Sequence, residues 1–311
     1  MNWSKDALLS KAKIYFKKAS SEERDSLFFG MYCALGLELL ARAALAKISP
    51  ALLADPSSTE NLLYALSLKD VGGKQKSIMT NKVILLCGEL IPDFNKDMQQ
   101  VATLMTERRN EELHTGGGGF EEYDIDNWIA GFYKACQVLG ASMGETLETL
   151  FGRDTAKEAN DIINEDAENI KKNVLDRISA RKKTYQEDVE NRPEEIDKLI
   201  AISEKEVRGL TYKGYHKVKC PCCGNSALIY GKEPMSGHET IEDEEVVVRK
   251  EVTACSFQCN VCKLRLTSYA ELKCAGVPLH YTNTYHYDPT EYFDIDIEAL
   301  KEADYAEYSN E

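Results

Sequence analysis

Residues 108–119, RRNEELHTGGGG, place an arginine, an asparagine and a histidine within one and a half helical turns and then stop in four glycines. Successive helical residues are ~100° apart, so Asn110 and His114 stand nearly in line. Arg109 lies about 140° round from His114, and its long side chain reaches the same cleft. These residue types suit phosphodiester chemistry. An imidazole with a reference pKa of about 6.5 moves a proton near neutral pH. A guanidinium offers a planar fork of donors to a phosphate and to the charge that builds on it. Asn110 holds the imidazole or a phosphate oxygen in position. The bland alternative is that Arg109 and His114 make surface contacts or satisfy the helix end. One glycine, or two, suffices to end a helix; four suggest that something large approaches the backbone or that the segment moves.

The second constellation is made of cysteines. Seven of the ten lie between residues 220 and 274, and Cys220-x2-Cys223 is followed by Cys259-x2-Cys262. Two such knuckles supply four thiolates to a tetrahedral zinc at Zn–S distances of ~2.3 Å. Four anionic ligands leave no open position, so the zinc is structural. An iron–sulfur centre is the competing use of such ligands. The knuckle CPCCG resembles that of the zinc ribbons over about 60 residues, although Cys222 is placed to substitute for Cys223. His216 reads as a strand or surface residue and not a ligand. Cys255 and Cys274 lack knuckle spacing and are expected in the small core, and Cys33, Cys87 and Cys136 read as small buried hydrophobes.

The elements that must position these groups change character along the chain. Residues 1–152 read as a helical bundle. Its helices run over about Ser4–Ala19, from a Ser20/Glu23 capping box to Lys47, Thr59–Leu68, Asn81–Leu90, Asp93 or Asn95 to His114, and Asp126–Leu150. Val101, Leu104, Met105 and Leu113 form the apolar side of the helix that ends at His114, and Glu111 and Glu112 are expected on its solvated side. Residues 153–210 form an amphipathic helical connector with Ile163, Ala167, Ile170, Val174 and Ile178 in its stripe, interrupted near Pro193. It packs on the first domain or serves as a dimer arm. Residues 211–278 are β-rich and carry the cysteines, with GKEPMSGHETIEDEE read as an exposed acidic loop. Residues 279–311 read as an acidic, tyrosine-rich tail with one helix around Asp296–Tyr305. The fold class is therefore mainly α, with a bundle, a long connector and a small β zinc-ribbon domain.

At this point RNEELH, Arg109 to His114, resembles the motif of the HEPN superfamily, helical bundles carrying Arg-x4–6-His, frequently with Asn after the Arg. LGLELLARAAL resembles an earlier HEPN helix in which a Glu is followed one turn on by a basic residue. Glu38 and Arg42 hold those positions, and by the resemblance Glu38 orients Arg109; otherwise Glu38 simply pairs with Arg42 along its own helix. The resemblance covers about 130 residues. It implies a metal-independent endoribonuclease working as a homodimer, with RNA as substrate, Arg109, Asn110, His114 and Glu38 as site residues, and no metal in the chemistry. A toxin or an antiviral defence effector fits such an architecture. The alternative is a non-catalytic module that binds nucleic acid or a protein, a regulatory partner included.

Composition bounds these readings. The net charge of −14 looks hostile to nucleic acid, but it is unevenly placed. Residues 276–311 hold nine acids against one lysine, whereas 205–275 hold eleven basic residues against nine acids. The acidic tail either solvates the chain end or occupies the cationic cleft as an RNA mimic. No signal peptide is evident, and LFFGMYCALGLELLARAALAKI contains Glu38 and Arg42, so a buried bundle helix is expected there and no membrane partner. With clustered, metal-spaced cysteines this places the protein in a reducing cytoplasm. GGKQKS lacks the full phosphate-loop pattern, and EEYDID lacks the paired ligands of a magnesium site.

Overall fold

A computed structural model describes residues 2–68, 75–211, 214–234 and 236–294. It is mainly helical, with small antiparallel sheets in the C-terminal part. The chain divides into two compact units, residues 1–174 and 175–311.

In the first unit, α1 (Lys5–Ala19) and α2 (Leu27–Ile48) form an antiparallel hairpin, followed by α3 (Thr59–Ala65), α4 (Thr80–Leu90) and α5 (Lys96–His114). Then come α6 (Ile129–Ser142), α7 (Leu147–Phe151) and α8 (Arg153–Asn191), which runs on into the second unit. Helix α2 is the axis. It is long and apolar enough to cross a membrane by composition, yet twelve of its residues are buried and it packs on α1, α4, α5 and α6. Leu8, Leu9, Ala12 and Phe16 of α1 are all buried, as their spacing requires. Phe16 is fully buried and lies where only Gly36 lets a ring approach α2. Cys33, Cys87 and Cys136 are core residues; burial pushes the Cys87 thiol up to about 12 and raises the other two as well.

The boundaries differ from those read in the sequence at several points, each for a local reason. Ser20 does not open α2. It closes α1, its hydroxyl donating to the Phe16 carbonyl at 3.0 Å, and Ser26 caps α2 instead, accepting from the Phe28 N–H at 3.2 Å. The helix expected over Asp126–Leu150 breaks in two at Gly144, which turns through φ +80°, before Thr146 and Thr149 form a capping box for α7. Leu113 is half exposed and not part of the core side of α5.

In the second unit, α9 (Pro193–Thr211) starts with the proline that ends the preceding helix and buries Ile196, Ser203 and Val207. Strands β1 (His216–Lys219), β2 (Ser226–Tyr230), β5 (Ser256–Gln258) and β6 (Arg265–Leu266) form one antiparallel sheet in that order. Strands β3 (His238–Glu242), β4 (Glu245–Thr253) and β7 (His280–Tyr287) form a second, with β4 central. Helix α10 (Tyr269–Cys274) precedes β7 and α11 (Pro289–Tyr292) follows it. The stretch read as an acidic loop thus holds β3, which pairs with β4 through Asp243 and Glu244, both in the left-handed region. That turn usually takes Asn or Gly, so these residues announce no hairpin. His280–Tyr287, read as the start of the tail, is a full strand against β4. The helix expected over 296–305 lies outside the described residues.

Candidate functional site: a carboxylate between two arginines, and a four-cysteine cluster

The four residues taken from the first constellation do not form one cluster; three of them do. Glu38 stands on α2 facing α5 and α4. Its Oε2 accepts from Arg109 Nη1, seventy-one positions away in the chain. Its Oε1 accepts from Arg42 Nε at 3.0 Å and from the Thr80 hydroxyl at 2.7 Å. The two sequence readings of Glu38 were alternatives, but one carboxylate has lone pairs for both guanidiniums and serves both. Arg42 also donates to the Ser77 hydroxyl at 3.3 Å and to the Ile78 carbonyl at 3.1 Å. Side-chain exposures of 11%, 12% and 16% for Arg42, Arg109 and Glu38 put the trio largely out of water. Burial pulls both guanidiniums below their usual range, though an arginine keeps its proton throughout. One carboxylate between two guanidiniums leaves the trio with a net positive charge.

Asn110 turns back on its neighbour, its Oδ1 accepting from Arg109 Nη2 at 3.0 Å and Nε at 3.3 Å. It therefore braces the guanidinium and not the imidazole. His114 ends α5 exposed, and among the described residues no hydrogen bond or ion pair holds it. Thr80, Ser77 and Ile78 were not foreseen. They come from a segment some forty positions from Glu38, where no local pattern marks them.

The glycine run answers a different need from a ligand's approach. A Cβ on Gly119 would lie 2.3 Å from the Arg108 carbonyl oxygen, whereas a Cβ on Gly116 would meet nothing. The backbone of Gly119 is pressed against the helix it has just left, and its N–H donates to Glu112 Oε2 at 2.9 Å. Phe120 then seats on Gly30 of α2, against Trp128. Glu112 is accordingly half-buried and engaged, and Glu111 pairs with Arg108 at 2.8 Å, so neither sits on a purely solvated face.

The second constellation is brought together. Cys220 and Cys223 lie in the turn from β1 to β2, and Cys259 and Cys262 in the turn from β5 to β6. Because β2 and β5 are antiparallel neighbours, with Leu228 opposite Gln258, both turns open at the same end of the sheet. All four sulfurs lie within 4.8 Å of one another, with Cys220 and Cys262 3.5 Å apart and Cys223 and Cys259 3.6 Å apart. A tetrahedron with Zn–S bonds of ~2.3 Å needs sulfurs ~3.8 Å apart, so the cage has the right size. Hydrogen bonds from its neighbours, Cys220 first, hold the Cys223 thiol far below the usual range and Cys259 down at about 7, while the same network pushes the Cys220 and Cys262 thiols up. Cys222 is not in the cage: its sulfur points to the Ile178 carbonyl at 3.7 Å. His216 is not in it either, stacking on Tyr281 with centroids 5.1 Å apart. Cys255 and Cys274 are only half-buried.

The comparisons add no relative: no family model, curated protein or solved structure matches this chain.

Proposed function

We propose that the protein is a HEPN-type endoribonuclease that cleaves RNA without a catalytic metal, its C-terminal ribbon held by structural zinc. The observation that carries the reading is the interhelical grip of Glu38 on Arg109, braced by Asn110, with an unencumbered imidazole at the end of the same helix. In the proposed reaction the ribose 2′-oxygen attacks the adjacent phosphorus, a P–O2′ bond forms and the P–O5′ bond breaks. The products are a 2′,3′-cyclic phosphate and a 5′-hydroxyl. His114 transfers the proton between the attacking or departing oxygen and water. Arg109 faces the charge that accumulates on the phosphoryl oxygens. Glu38 and Asn110 fix that guanidinium, so its orientation is set before RNA arrives.

The half-exposed Leu113 beside His114 favours a homodimer in which two such helix ends face one shared cleft. The four-cysteine ribbon would then present a rigid surface to RNA or to a regulatory protein, with Cys220, Cys223, Cys259 and Cys262 holding the zinc. Zinc there locks the two turns together and takes no part in the cleavage. Such an enzyme suits the role of a toxin or a defence effector in the cytoplasm.

A second reading has its own support. The Arg109 fork is engaged on both sides within the fold, which suits a non-catalytic module that binds nucleic acid or protein. One assay separates the two. Purified protein, His114→Ala and Arg109→Ala are incubated with mixed RNA in EDTA, zinc content is verified afterwards, and the new termini are analysed. Cleavage to cyclic-phosphate ends that falls by about 10²–10⁴ in His114→Ala supports the enzyme. RNA retained intact on the wild-type protein supports the binder.

A further inference from the structure

Strand β7 is an edge of the second sheet. Its register against β4 runs unbroken from Val246 opposite Tyr287 to Thr253 opposite His280. Just beyond it the Ala254 N–H donates to the Leu279 carbonyl at 2.8 Å, so Leu279 belongs to a hydrogen-bonded pair of that ladder. Such pairs alternate, and Tyr281, Asn283, Tyr285 and Tyr287 therefore turn their N–H and C=O groups toward β4. His280, Thr282, Thr284 and His286 turn theirs outward, where among the described residues no backbone group meets them. The side chains of these four share one exposed face. Helix α11 lies on the opposite face: Tyr292 packs on Tyr287 with centroids 5.2 Å apart, and its hydroxyl donates to Glu239. The edge itself stays open.

An open edge is a template for another strand, and proteins usually blunt it with charge, proline, a bulge or brevity. The other edge strand, β3, is five residues long and carries Glu239 and Glu242. Strand β7 is eight residues long, HYTNTYHY, with no lysine, acid or proline, and its tyrosines and threonines favour extended chain. We propose that β7 pairs antiparallel with β7 of a second copy of this chain, about a twofold axis through Thr284, joining two three-stranded sheets into one. In that register Thr284 meets Thr284 of the second copy, and Thr282 meets His286. His280 meets Asp288, which is still extended where it caps α11. Threonine against threonine and an imidazole against a carboxylate are favourable cross-strand pairs. A twofold through Asn283 instead sets His280 against His286 and Asp288 against Pro278, and neither pair attracts. One pair of strands is a small interface, so the association is weak, with Kd of about 10–100 µM. The surface lies in the second unit and is independent of the ribonuclease reading.

The test reads amide hydrogen exchange of the full, zinc-loaded chain residue by residue, by mass spectrometry with electron-transfer fragmentation, at about 2 µM and about 1 mM. Tyr281, Asn283 and Tyr285 should be protected at both concentrations, through β4. Thr282, Thr284 and His286 should exchange freely in the dilute sample and at least about fivefold more slowly in the concentrated one. Thr284→Glu faces Arg249 across the β4 pairing, which suits the fold, but sets two carboxylates against each other on the axis. Thr284→Pro removes an outward N–H and none that is bonded to β4. Each variant should abolish the concentration dependence at Thr282 and His286 while Tyr281, Asn283 and Tyr285 stay protected. The proposal is overturned if the outward amides exchange freely at about 1 mM, or if both variants retain the concentration dependence. Equal protection at the two concentrations also overturns it, because the chain's own residues would then cover the edge.

Discussion

Glu38 and Arg109 lie on different helices and meet in a half-buried ion pair that ties α2 to α5. The same carboxylate holds Arg42 and Thr80, so a single side chain joins three parts of the bundle. Removing one partner of such a pair strands the other charge, which costs more than the pair itself contributes. Glu38→Ala is expected to destabilise the first unit by about 3 kcal/mol in chemical denaturation, because two guanidiniums lose their counter-charge. Arg109→Ala leaves Glu38 with Arg42 and is expected to cost roughly half as much. Equal losses from the two variants would contradict this sharing.

His114 is expected to behave in the opposite manner. It is exposed and, among the described residues, unpaired, so His114→Ala should leave stability within about 0.5 kcal/mol of the wild type. A large loss of stability would mean that the imidazole supports the fold, and its loss of activity could then not be read as chemistry.

The glycine run makes a position-specific prediction. Gly119→Ala drives a methyl group into the Arg108 carbonyl and should cost about 2 kcal/mol by thermal or chemical denaturation. Gly116→Ala meets open space and should be neutral or stabilising by about 0.5 kcal/mol, through the unfolded chain. The run would then hold one structural glycine at its end, Gly119, and a tolerant one at its start, Gly116.

For the four-cysteine cage, the purified chain is expected to carry a single zinc by elemental analysis. Cys223→Ser should lose it, while Cys222→Ser, whose sulfur lies outside the cage, should keep it. Chelation should abolish hydrogen-exchange protection in β1, β2, β5 and β6, because those strands are short and the metal joins their turns. Retention of zinc by Cys223→Ser would move the ligand set to Cys222.

A pH response follows from the β3–β4 hairpin. Arg249 grips the Glu242 carboxylate at 2.7 Å through two nitrogens, and with Thr240 it holds that acid down at about 2. A carboxyl depressed in the folded state adds stability above its unfolded value, near 4.3, and loses it as pH falls toward the folded value. The hairpin should therefore loosen between about pH 4 and pH 2, with Glu242 protonating only toward the low end of that window in a carbon-detected NMR titration. Arg249→Met should return Glu242 to the ordinary glutamate range.

How much of this was legible in the chain depends on the range of the interaction. Periodicity in α1, the proline between α8 and α9, and the paired Cys-x2-Cys knuckles act within a few residues, and the chain alone determined them. Local signals failed where Ser20, read as the cap of α2, closes α1 instead, and where a turn used Asp243 and Glu244 in place of glycine. Whether Glu38 serves Arg42 or Arg109, why Gly119 must be glycine, and which of Cys222 and Cys223 enters the cage were decided only by tertiary structure. Each turns on groups far apart in sequence competing for the same few ångströms of space or the same lone pairs, and no local pattern records who arrives there.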